Sequence, residues 1–189
     1  MLRRNPTGHM PIISETAFID PTAIICGKVI VEDNAFFTLR RVCSNTCYWA
    51  MNEQGEMDVI VIKRDTNIQD GVVIHSKAGA AVTIGERSSI AHRSIIHGPC
   101  KVDDDVFIGF NSVVFNAVIG KGCVIRHNCV VDGLDLPESF HVPPMTNIGA
   151  GFDLNSISKV PPEYSAFSES VVSANHELVQ GYRRIANEL

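Results

Sequence analysis

The chain has 189 residues, 45% of them hydrophobic, with 16 basic against 21 acidic side chains and a formal net charge of −5. That length suits one domain with a substantial core. The negative balance argues against nonspecific nucleic-acid binding, and no apolar run approaches the 18 residues of a membrane span.

Residues 1 to 16 read as a polar lead-in. Met1-Leu2-Arg3-Arg4 is not followed by an apolar signal core, so a secretory leader is not expected and a cytoplasmic location is. From Ile19 an aliphatic or aromatic residue returns every sixth position, at Ile25, Val31 and Phe37, with Ala23, Val29 and Ala35 two places before the last three. The period then breaks. The stretch from Cys43 to Asp58, which contains Tyr48, Trp49, Glu53 and Glu56, reads as an insertion leaving a regular scaffold. The period resumes at Ile62, Ile68 and Ile74, then at Ile84, Ile90, Ile96, Val102, Ile108 and Val114. It shortens by one residue to Ile119 and continues to Ile125 and Val131. Small or branched residues stand two places earlier, among them Val72, Val82, Ser88, Ser94, Cys100, Val106 and Ser112. A period of six fits neither an amphipathic helix nor an alternating strand. It is the signature of a parallel β-helix of hexapeptides.

Three hexapeptides close one triangular coil, so 18 residues return the chain to the same corner. His75 and His97 each directly follow a corner aliphatic and lie 22 residues apart. The four surplus residues, around Lys77-Ala78-Gly79-Ala80, are expected to loop out and leave the register intact. The two imidazoles then stack on one edge, close enough to share a metal. His92 follows its aliphatic by two places and belongs to another edge. A neighbouring copy turned about a three-fold axis could bring it to the pair, which implies a homotrimer with sites at its interfaces.

At these residues the chain resembles the gamma-class carbonic anhydrases and their carboxysome-associated relatives, through NIQDG with VVIH and then IAHRSIIHG; the resemblance spans roughly residues 15 to 185. It implies an all-β fold, a left-handed parallel β-helix of hexapeptide repeats with a C-terminal α-helix. It also implies a zinc or iron(II) ion held by His75, His97 and the adjacent subunit's copy of His92; histidine ligation suits cobalt alike. Gln69 matches the glutamine that hydrogen-bonds the metal-bound hydroxide. Asp70 matches the aspartate that pairs with an arginine across the interface, for which Arg40 is the candidate, and Asn175 matches an active-site asparagine of the terminal helix. The implied activity is attack on CO2 to give bicarbonate. The chain departs from the pattern at Val42, where an acidic residue is usual, at Ala78, near where some members carry a proton-shuttling glutamate, and at Ser173, where some carry a tyrosine. Glu53 or Glu56 of the insertion is the expected substitute for the shuttle. A noncatalytic metal-binding scaffold is the competing reading. A coenzyme A-dependent acyltransferase is a weaker one, because one catalytic histidine without metal is usual there.

The repeat is expected over 17–136, a connector over 137–163 after Pro137, Pro143 and Pro144, and a helix packed on the prism over 164–189. That helix should seat Val171, Ala174, Leu178, Tyr182 and Ile185. Cys26, Cys100, Cys123 and Cys129 are expected as buried packing residues. Cys43 and Cys47 could pair, although reduced thiols are the default. His9, His127, His141 and His176 are expected to be exposed.

Overall fold

The structure, a computed structural model, describes residues 1–38, 42–44, 58–76 and 79–188, the side chains of 42–44 and 186–188 excepted. It is a left-handed parallel β-helix with three flat faces and one long terminal helix. One face stacks Leu2–Arg3, Ile24–Cys26, Val42–Ser44, Val73–His75, the first part of Ile95–Val102, the first part of Val113–Ile119, Val130–Asp132 and Asn147–Ile148. A second face stacks Ile12–Ile13, Val29–Val31, Ile60–Ile62, Val82–Ile84 and the later parts of the two long strands. The third runs Phe18–Ile19, Phe36–Phe37, Asn67–Ile68, Ser89–Ile90, Phe107–Ile108, Val124–Ile125 and Phe140–Val142. Antiparallel Ser158–Lys159 ends it.

The period-six aliphatics fill the interior. Ile25, Ile74, Ile96 and Val114 stack in one column, Ile62, Ile84, Val102 and Ile119 in another, and Phe37, Ile68, Ile90 and Ile108 in the third; nearly all are fully buried. Burying each such side chain contributes roughly 1.5–3 kcal/mol. The residue three places before the aliphatic takes positive φ at corner after corner: Asn34, Asp65, Gly71, Arg87, Arg93, Asp105, Asn111, Gly122, Asn128, Ser139 and Met145. A tight corner needs this conformation, which Gly, Asn and Asp adopt most readily. The small residue two places before the aliphatic faces inward and satisfies corner carbonyls of the next coil. Ser88 Oγ donates to Asp103 O (2.8 Å), Ser94 Oγ to Gly109 O (2.9 Å) and Cys129 Sγ to Pro143 O (3.1 Å). Buried polar groups are thereby paired.

The repeat reaches further than its aliphatic spacing announces. Leu2–Arg3 and Ile12–Ile13 of the expected lead-in pair with Ile25–Cys26 and Ile30–Val31. The backbone of Cys43 pairs in register between Ile25 and Ile74, so Val42–Ser44 belongs to the coils rather than to an insertion; Cys47, Tyr48, Trp49, Glu53 and Glu56 lie outside the described residues. Pro143 and Pro144 do not end the coils. Pro144 stands before positive-φ Met145, a corner where no N–H is needed, and the strand Asn147–Ile148 follows.

The helix is Pro162–Glu188, with proline at its first position and Glu163 in its first turn, both favourable at an N-terminus. It rests on the third face, where Tyr164 and Val171 pack on Ala91, Phe107 and Val124. Its seated side is turned from the expected one. Asn175 and Val179 are buried, whereas Leu178 (45% exposed) and Ile185 (54%) face outward, and Tyr182 lies at the edge, stacked on Phe18 at 4.5 Å. The centre of the covered face is polar, because Asn67 lies within it. The apolar stripe alone therefore misplaces the contact. No described helix is long and apolar enough to cross a membrane.

Gly85 directly follows Ile84, and a Cβ there would stand 2.3 Å from the Asp103 carbonyl carbon of the next coil. Gly85→Ala should destabilise the prism by about 1–3 kcal/mol, read as a lower urea midpoint; an unchanged midpoint would mean that the coils are not held this closely.

Candidate metal centre

The strands Val73–His75 and Ile95–Val102 pair Ile74 with Ile96 and His75 with His97. The alternation of a strand turns both isoleucines inward and both histidines outward on the same edge. His75 Nδ1 and His97 Nε2 are 3.0 Å apart, and the ring centroids 4.8 Å. His97 Nδ1 lies 2.8 Å from Gly98 O, to which it donates. That bond selects the tautomer whose Nε2 lone pair points at His75. Phe115 of the next coil flanks His97 at 5.2 Å. Burial, and then the neighbouring His97, hold the His75 imidazole below its ordinary pKa, so it is neutral at pH 7. The pair fits a cation. Two nitrogens on one tetrahedral zinc are roughly 3.3 Å apart, and the proton now shared between the rings sits where two lone pairs would converge.

His92 stands on a different edge, following Ser89–Ile90 of the third face. The Asp70 N–H donates to its Nδ1 at 3.2 Å, and the Asp70 carboxylate lies 3.5 Å from the same atom. With Nδ1 accepting, the ring proton sits on Nε2; turning Nδ1–H to the nearby Asp70 carboxylate instead is what would free Nε2 to ligate. Asp70 is in turn bonded by the Thr38 hydroxyl. Among the described residues no three His, Cys, Asp or Glu side chains of one chain gather as a metal cluster. The chain brings His75 and His97 together and keeps His92 apart.

Beside His92 a cleft of about 390 Å³ lies between the third face and the helix. Gln69, Asp70, His92 and Asn175 line it, with Phe18, Phe36 and Tyr182 as its aromatic wall. Three sequence candidates thus meet there with the third histidine. Asn175 is 9% exposed and donates to Val171 O at 2.6 Å. The sequence reading missed Asn67. It also lines the cleft, is fully buried, and neither polar atom of its side chain has a hydrogen-bond partner. Its signal was in plain view: an asparagine directly before an inward isoleucine, in a strand that a helix covers. Arg40, Lys77 and Ala78 lie outside the described residues, and Val42 is described in its backbone alone. Ser173 is exposed at the rim of a separate groove.

The other histidines are half-buried, contrary to expectation. His127 stacks on Phe110 at 4.4 Å, His141 on Tyr164 at 4.6 Å, His176 Nε2 lies 2.9 Å from Asp65, and His9 meets the Thr7 hydroxyl at 2.9 Å. Each partner comes from another coil, the helix or a local turn, which hexapeptide spacing does not reveal. Cys26, Cys100, Cys123 and Cys129 are buried free thiols, and burial pushes that of Cys100 up to about 12.

No family model matches the chain. Individual proteins do. A carbonic anhydrase of Methanosarcina thermophila is 30% identical over 200 residues, covering 95% of this chain and 77% of that protein. The carboxysome assembly protein CcmM of a Nostoc species is 32% identical over 180 residues, 90% of this chain but only 31% of CcmM. The carnitine operon protein CaiE of Escherichia coli K12 is 29% identical over 119 residues, 62% of this chain and 55% of CaiE. Among solved structures, a hexapeptide transferase family protein of Anaplasma phagocytophilum superposes with a TM-score of 0.78 at 24% identity, covering 96% of this chain and 97% of that one. A Bacillus cereus protein provisionally named an acetyltransferase does so at 0.79 and 20%, covering 96% of both chains. These two likenesses show the fold alone. With the fold, the paired histidines and the match along nearly its whole length, the chain belongs to the gamma-class carbonic anhydrase family.

Proposed function

We propose that this protein is a carbonic anhydrase that converts CO2 to bicarbonate at metal sites between the subunits of a homotrimer. The observation that carries the reading is the registered pair His75–His97, with His97 locked by Gly98 so that its Nε2 faces His75. His75 and His97 of one subunit would hold a divalent zinc, iron(II) or cobalt ion together with His92 of the next. Bound there, the ion supplies a Lewis acid that makes water a nucleophile near neutral pH.

The chain's own residues do the rest. Asp70 anchors His92, so that the ring offered to the neighbour keeps one orientation. Gln69 lines the cleft beside His92 and orients the attacking oxygen by its amide. Asn67 and Asn175 stand at the same cleft and hold the carbon dioxide oxygens, while Phe18, Phe36 and Tyr182 give an apolar wall that suits an uncharged substrate. Forming bicarbonate also releases a proton, and Glu53 or Glu56 remains the proposed acceptor. Exposed Ile95 lies two residues before His97, and exposed Phe110 flanks His92 at 5.2 Å. Apolar surface beside both halves of the site is what a subunit contact would cover.

One observation favours a second reading. The chain is 32% identical to part of an assembly protein, CcmM. A scaffold would bind metal without turnover. The acyltransferase reading has no support beyond the shared fold.

Three outcomes test these assignments. In protein purified without oxygen and loaded with zinc or iron(II), stopped-flow CO2 hydration should vanish in His97→Ala; a rate equal to wild type would remove the metal site from the mechanism. His75→Ala and His92→Ala should each be inactive, yet regain hydration when the two are co-assembled, because a mixed trimer rebuilds intact interface sites. No recovery would place the site within one chain. Gln69→Ala should lower kcat about tenfold to a hundredfold while metal content stays unchanged; loss of metal instead would make Gln69 a support of the site rather than of the reaction.

A further inference from the structure

The helix that carries Asn175 is held over the cleft by little apolar burial. Val179 is its one apolar residue that is nearly fully covered among those described, and Leu178, Tyr182 and Ile185 are each more than two-fifths exposed. A polar contact stands beside Asn175 instead. His176 Nε2 lies 2.9 Å from the Asp65 carboxylate, whose side chain is only 16% exposed, a close polar approach that is not aligned as a hydrogen bond. Asn34 Nδ2 donates to the same Asp65 oxygen at 3.2 Å. Asp65 occupies a positive-φ corner, two residues before Asn67 and four before Gln69. Both ends of this contact are therefore close in sequence to the cleft: one residue from Asn175 on the helix, and on the coil that bears Asn67 and Gln69.

We propose that His176 is a positioning residue: its contact with Asp65 fixes the helix so that the Asn175 amide meets the substrate cleft opposite Gln69. This deepens the carbonic anhydrase reading and rests on it. The helix has a second anchor, Tyr182 stacked on Phe18 and Phe36 at 4.5 and 6.1 Å. Loss of His176 should then let the segment around Asn175 shift without releasing the helix. A displacement of about 1 Å in a positioning group is enough to cost up to a hundredfold in rate.

The test uses the full-length metal-loaded protein with His176→Ala, His176→Gln, Asn175→Ala and the double variant His176→Ala/Asn175→Ala. His176→Ala should lower kcat about tenfold, with metal content and assembly size unchanged. His176→Gln, whose amide can reach and donate to Asp65, should recover most of the rate. The double variant should be no slower than Asn175→Ala alone, since residues acting through one another are non-additive. Full additivity, or no rescue by glutamine, overturns the proposal. Hydrogen exchange supplies a readout independent of turnover: amides of residues 171–179 should exchange faster in His176→Ala and return to wild-type protection in His176→Gln. Unchanged exchange overturns the clamp. If the wild-type protein hydrates no CO2, the catalytic reading fails by itself, and the exchange experiment still decides whether His176 sets the place of Asn175.

Discussion

The parallel register between successive coils is the constraint from which the rest of the molecule follows. An inward aliphatic every sixth residue can stay in its column only if each coil stacks on the last with corner over corner. The backbone meets that demand with positive-φ corners, inward Ser and Cys groups that occupy corner carbonyls, and a glycine such as Gly85 where the next coil comes too near for a side chain. Once the aliphatics are fixed, every outward neighbour is fixed as well. The histidine pair is a by-product of that rule: Ile74 stacks on Ile96, and so His75 must stack on His97.

The same rule separates the two halves of the site. His92 sits one place further from its aliphatic than the paired histidines do, which carries it to another edge and to the cleft with Asn67, Gln69 and Asn175. Each chain thus presents a pair on one edge and a single ring with its amide neighbours on another. On the proposed reading a closed assembly would bring the two edges together, since the two surfaces differ and face apart.

Much of this was legible in the residues. The period of six gave the columns, and the surplus between Ile74 and Ile84 did not mislead, because the strands on either side of it, Val73–His75 and Val82–Ile84, both keep the register of the stack. What escaped had specific causes. Cys43 stands at a register position that elsewhere carries an aliphatic, so a strand looked like the start of an insertion. Pro144 serves a corner, so two prolines looked like a terminus. The helix seats its polar Asn175, so the apolar stripe pointed the wrong way. His176 and Asn67 owe their significance to contacts between elements far apart in the chain, and no periodicity encodes those.

The corners also bear on how much stability the molecule leaves unclaimed. Arg87, Arg93 and Met145 occupy the left-handed conformation, which costs a side chain of ordinary shape roughly 1–2 kcal/mol. Arg87 has a compensating ion pair with Asp105, and Arg93 adjoins His92. Met145 is 81% exposed. Natural sequences commonly retain such suboptimal positions. The far end of the prism therefore holds a reserve that an asparagine or glycine could release, at a distance from both halves of the site.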